Sequence, residues 1–144
     1  MIEISAATAD RIDSREVEAI VRAVLASEGV AEPYDVGIRL VADDEIRSLN
    51  REHRGEDVVT DVLSFPIDGV EELPPGMDRQ LGDVVISPAQ AARQATGGTG
   101  AELRTLLVHG LLHLLEYDHE TDDGVMLARQ DALCETLPAL SGLG

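Results

Sequence analysis

The sequence contains no lysine and no tryptophan, one cysteine, and three aromatic residues: Tyr34, Phe65 and Tyr117. All 11 basic residues are arginines, set against 28 Asp and Glu, which gives a net charge of −17 and a pI near 4.3. A protein that coats nucleic acid without regard to sequence needs a basic surface, and this chain lacks one. Three aromatics also argue against an extended base-stacking platform. Cys134 on its own excludes an internal disulfide framework. The opening stretch MIEISAATADR has no basic flank followed by an apolar core, so it does not read as a secretory signal. The most apolar run, Leu106 to Leu115, is interrupted by two histidines and falls far short of the roughly 20 residues that span a bilayer. These absences lead to the expectation of a cytoplasmic protein without membrane segments. The missing lysines are read as genome base composition and carry no function. What is present is ample apolar material, 44% of 144 residues, enough for the core of one domain over residues 1–144.

Local patterns predict strands interleaved with helices. Ile2 to Ser5 reads as a short first strand. Asp13 with Glu16 forms a capping box, and Val17, Ile20, Val21, Val24 and Leu25 then trace one buried helix face up to a stop at Gly29. Tyr34 to Ala42 alternates as a half-buried strand. A second helix, capped by Asp43 or Asp44, runs to about His53 with Ile46 and Leu49 inward. Thr60 to Pro66 is a strand closed by proline, residues 67–80 a loop, and Leu81 to Ser87 another strand. Ser87-Pro88 starts a short helix. Thr99 with Glu102 is a second capping box, opening a helix over about Ala101 to Leu115. A last helix follows Asp122, with Met126, Leu133 and Leu137 on one side. The expected class is α+β: a small mixed sheet of four strands with flanking helices.

Three of the four histidines fall in the eleven-residue run His109 to His119. His109 and His113 are one helical turn apart and leave the same face, a spacing that lets two imidazoles chelate one ion at about 2.0–2.1 Å. His119 reaches that ion only if the chain turns after about Leu115. Three neutral nitrogen ligands with an open fourth position describe a catalytic zinc, which lowers the pKa of a coordinated water towards 7. The spacing equals that of the metzincin proteases. However, Gly110 stands where a zincin has its general-base glutamate, and Glu116 where the turn glycine belongs. Metal binding is therefore expected and peptide hydrolysis is not.

The run His109-Gly110-Leu111-Leu112-His113-Leu114-Leu115-Glu116-Tyr117-Asp118-His119 resembles the signature H-G-x-L-H-L-x-G-Y-D-H of the YbeY family of ribosomal-RNA maturation endoribonucleases. Two further blocks are similar to that family: Leu49-Asn50 through Arg54 and Asp57 to Thr60–Pro66, and Leu81–Ser87. The resemblance implies a small mixed sheet with flanking helices carrying a metzincin-like metal helix. It implies one Zn2+ per chain on His109, His113 and His119. It also implies a role in 3′-end maturation of small-subunit ribosomal RNA and in ribosome quality control, with the small ribosomal subunit as partner. The family's functional arginine falls on Arg54, expected to clamp a phosphate. Arg47, Arg51 and Arg54 recur at i, i+4 and i+7 as a basic stripe, either an RNA-facing edge or one neutralised in solvated ion pairs by the nearby Asp43, Asp44, Glu45 and Glu52. Three departures stand out: Glu116 for glycine, His53 for an aromatic, and Glu56 for lysine. Alternatives are a ribosome-assembly factor with a structural zinc, or another zinc metallohydrolase.

Overall fold

The computed structural model describes residues 1–6, 12–68, 72–115 and 124–141. Along the described chain run β1 (Ile2–Ala6), α1 (Ser14–Ser27), β2 (Tyr34–Leu40), α2 (Asp43–Arg54), β3 (Val62–Pro66), β4 (Arg79–Ile86), α3 (Pro88–Gln94), α4 (Thr99–Leu114) and α5 (Val125–Thr136). The strands form one mixed sheet in the order β1-β2-β4-β3, parallel except for the antiparallel β3–β4 pair. The expected α+β class with four strands holds.

Alternation decides which face each strand buries. In β2, Tyr34, Val36, Ile38 and Leu40 are buried and the residues between them are half-buried. Leu81 is the extra residue where the β2–β4 register shifts, which brings Val84 opposite Ile38 and Ile86 opposite Leu40. These residues join α1, α4 and α5 in the main core. Leu63 and Val85 point to the opposite face, where they meet Val41 and Ile46 in a smaller cluster under α2. The sheet thus has α4 on one face of β3 and α2 on the other. α4 is apolar nearly all round, as a central helix must be. Met126 and Leu133 are buried in the main core, as their spacing predicted, and Cys134 packs against it. No helix among the described residues is long and apolar enough to cross a membrane.

Several helix starts differ from the sequence expectation. Asp13 does cap α1, accepting the Arg15 N–H at 2.9 Å. Glu16 does not complete the box: its carboxylate accepts the Ser141 N–H at 2.9 Å and the Ser141 hydroxyl at 2.5 Å. Those two donors hold the Glu16 carboxyl below its usual range. Ala42, not Asp43 or Asp44, is the N-cap of α2. Asp43 is instead bound by the Ser87 hydroxyl at 2.8 Å and by Arg93 at 2.9 Å. Gly98 precedes α4, so Thr99 is its first helical residue rather than its cap, and Glu102 accepts from Gln94 at 2.7 Å. The loop after β3 is shorter than predicted because β4 already begins at Arg79. Ser87 caps α3 as expected, accepting the Gln90 N–H at 3.1 Å.

Candidate metal and phosphate site

The last turns of α2 and α4 approach each other across the edge strand β3. α2 ends because Gly55 takes a left-handed φ of 73° and returns its N–H to the Arg51 carbonyl at 3.0 Å. The following loop is pinned by buried Asn50, whose Nδ2 donates to the Val58 carbonyl at 3.1 Å. This fixes His53 and Arg54 at one wall of a cleft. α4 supplies His109 and His113 at the other wall, and β3 lies between with Ser64. The cleft measures about 400 Å³.

His109 and His113 are half-buried and turn their Nε2 atoms towards each other at 3.1 Å. Their ring centroids are 4.6 Å apart, with planes at 73°. On the far side of the first ring, Gln130 Oε1 of α5 lies 2.8 Å from His109 Nδ1. A carbonyl oxygen can only accept, so Nδ1 carries the proton and His109 Nε2 presents its lone pair into the cleft. Two nitrogen ligands at about 2.0–2.1 Å from one tetrahedral ion stand roughly 3.3 Å apart. The pair therefore fits a single small divalent ion. His119 lies outside the described residues, as do Glu116, Tyr117 and Asp118. Among the described residues no three His, Cys, Asp or Glu side chains converge as a metal site.

Gly110 explains why a base cannot occupy the zincin position here. A Cβ at Gly110 would lie 2.5 Å from Val84 Cγ1 and 3.3 Å from Ser64 Oγ. Even one carbon does not fit, because the helix backbone lies directly on β3 and β4. Ser64 uses the contact, its hydroxyl donating to the Gly110 carbonyl at 3.0 Å.

The three stripe arginines divide between two hollows. Arg54 lines the histidine cleft, and among the described residues it makes no ion pair. Arg47 and Arg51 line a separate hollow of about 500 Å³ together with Asp43, Asp44 and Asp57. Arg47 is already bound to Asp57, at 2.9 Å through Nε and 3.3 Å through Nη2. That guanidinium holds the exposed Asp57 carboxyl below its usual range. Asp57 is thus engaged by Arg47, while Arg54 faces the histidine cleft.

One site residue escaped the sequence reading. Gln130 stands 21 positions after His109 on another helix, and no spacing rule links them. His53, which stands where the family pattern has an aromatic, is exposed and rests on Phe65. Asp61, on the cleft wall, is held by the Val62 N–H at 2.7 Å and the Gln94 amide at 2.9 Å.

A protein-family model described as Endoribonuclease YbeY matches residues 3–138. The Endoribonuclease YbeY of Anaeromyxobacter sp. strain Fw109-5 is 48% identical over 126 residues, 85% of this chain. That match spans 63% of the Anaeromyxobacter protein, less than two thirds of its length. The Endoribonuclease YbeY of Moorella thermoacetica is 46% identical over 136 residues, 87% of this chain and 83% of that one. Among solved structures, the solution structure of TM1509 from Thermotoga maritima superposes with a TM-score of 0.61 at 28% identity. The superposition covers 94% of this chain and 87% of that one.

Proposed function

The chain belongs to the YbeY endoribonuclease family, and on that premise we propose that it is a zinc-dependent endoribonuclease acting on single-stranded RNA. Its setting in this reading is the cytoplasm, and its task is 3′-end maturation of small-subunit ribosomal RNA and ribosome quality control, with the small subunit as partner. One domain over residues 1–144 does the work.

The observation that carries the reading is the 3.1 Å approach of two histidine Nε2 atoms in a cleft shared with Arg54, which makes no ion pair among the described residues. His109, His113 and His119 would hold the metal. When bound, a divalent ion there supplies Lewis-acid polarisation of the phosphoryl group and a nucleophile at neutral pH. The protein's own residues do the rest. Gln130 keeps the proton on His109 Nδ1 and so keeps the Nε2 lone pair available. Arg54 presents a planar pair of N–H donors to the phosphate, and it concentrates positive charge where negative charge develops. Arg51 and, more weakly, Arg47 would track the phosphates that follow, since Asp57 already neutralises part of the Arg47 charge. The acidic remainder of the surface repels RNA that is not seated in the cleft.

The test is metal analysis combined with cleavage of a single-stranded fragment of the small-subunit RNA 3′ end. Wild type is expected to carry close to one zinc per chain and to cleave. His113→Ala loses both properties. Arg54→Ala keeps the zinc and loses roughly 10²–10³ in rate, the loss typical of one electrostatic donor. Cleavage that persists in metal-stripped protein and is unchanged in His113→Ala would refute the proposal.

A further inference from the structure

We propose that His53, backed by Phe65, is the nucleobase seat of this cleft, stacking the base next to the phosphate that Arg54 holds. The inference rests on the endoribonuclease reading and names what that reading leaves open, the group that engages the base.

The geometry is specific. The His53 and Phe65 ring centroids are 4.5 Å apart and their planes tilted by 52°. Phe65 comes from β3 and packs on the cluster formed by Val41, Ile46, Leu63 and Val85, so the lower ring has a rigid floor. His53 stands in the final turn of α2, whose backbone is fixed by the Gly55 cap. The upper ring is exposed and lines the same cleft as Arg54, His109 and His113. Tyr34, by contrast, is buried in the main core and offers no surface to a ligand.

The chemistry follows from the charge balance. With a net charge of −17 and only 11 arginines, phosphate contacts alone give this protein little hold on RNA. Stacking does not depend on charge, and every base has a π face. Unpaired bases are the ones available to such a seat, because in a duplex both faces are already stacked. Scarcity of Phe, Tyr and Trp argued against an extended platform, but one ring pair suffices for one base, and a histidine supplies its outer member.

The experiment uses the zinc-loaded enzyme and a short single-stranded RNA from the small-subunit 3′ end, intact or with an abasic ribose at each position in turn. His53→Ala is expected to bind zinc as wild type does and to raise KM about 5- to 150-fold, the range for losing one aromatic–base contact. The effect on kcat is expected to be much smaller, and His53→Phe should restore KM. At one position the abasic substrate should raise the wild-type KM to the same degree, and there His53→Ala should add nothing. A wild-type KM in His53→Ala, loss of zinc in that variant, or a defect of equal size on every abasic substrate would overturn the seat while leaving the enzyme reading intact. Wild type that neither binds nor cleaves the RNA would overturn both.

Discussion

Replacing Gly110 with alanine tests the helix–sheet contact on which both site histidines ride. The added methyl would sit 2.5 Å and 3.2 Å from the two methyls of Val84 and 3.3 Å from Ser64 Oγ, against an ordinary contact of about 3.5–4.0 Å. Val84 is fully buried and β-branched, with its χ1 restricted, and both its methyls face the intrusion. Overpacking of this kind costs about 1–3 kcal/mol. Alanine in a helix interior returns about 1 kcal/mol relative to glycine, so the single variant should lose about 0–2 kcal/mol. A thermodynamic cycle separates the two terms. Val84→Ala removes both clashing methyls, losing about 1.6 kcal/mol of burial at ~0.8 per carbon. In the double variant the methyl introduced by Gly110→Ala fills the vacated space. The double variant should therefore be more stable than the sum of the singles by about 1–3 kcal/mol. Urea midpoints of the four zinc-loaded proteins read this directly. Gly110→Ala at wild-type stability or above, with a cycle additive to within about 0.5 kcal/mol, would refute the claim that α4 lies too close to β4 for any side chain.

The other expectations concern the support of the site and the caps. Gln130→Ala should weaken zinc binding about 10- to 100-fold in a competitive chelator titration; unchanged affinity would mean that Gln130 does not set the His109 tautomer. Ser87→Ala removes the α3 cap and the donor to Asp43 together and should cost about 1–2 kcal/mol, about 2–8 °C in Tm. Ser87→Asp, ordinarily a good cap, should fail to rescue because it faces Asp43, whereas Ser87→Thr should rescue; an Asp variant as stable as wild type would sink that account. The Glu16 carboxyl is held below its usual value by Ser141, so it contributes stability above the ordinary carboxylate pKa of about 4.3 and loses it as pH falls through the folded-state value. Glu16→Gln should accordingly flatten the decline of the urea midpoint between about pH 5 and 3, and a slope identical to wild type would contradict it.

Short-range patterns were enough to specify much of this protein. The i, i+4 spacing put His109 and His113 on one face of a helix because that depends only on 3.6 residues per turn. The buried face of α1, the alternation of β2 and the Ser87 cap of α3 are local in the same way, and all stand in the structure. The three-histidine motif was read from spacing too, and its third member lies outside the described residues. Tertiary structure decided what those local units meet. The order β1-β2-β4-β3 places β3 at an edge, and only then do the ends of α2 and α4 share a cleft. Glu16 left its capping box for Ser141, 125 residues away, and Asp43 went to Ser87, 44 residues away. A side chain takes the best partner that packing brings within reach, and packing joins residues whose separation in sequence carries no periodic signal. For the same reason the one stripe of arginines became two hollows, Gln130 arrived behind His109, and His53 found a ring to rest on.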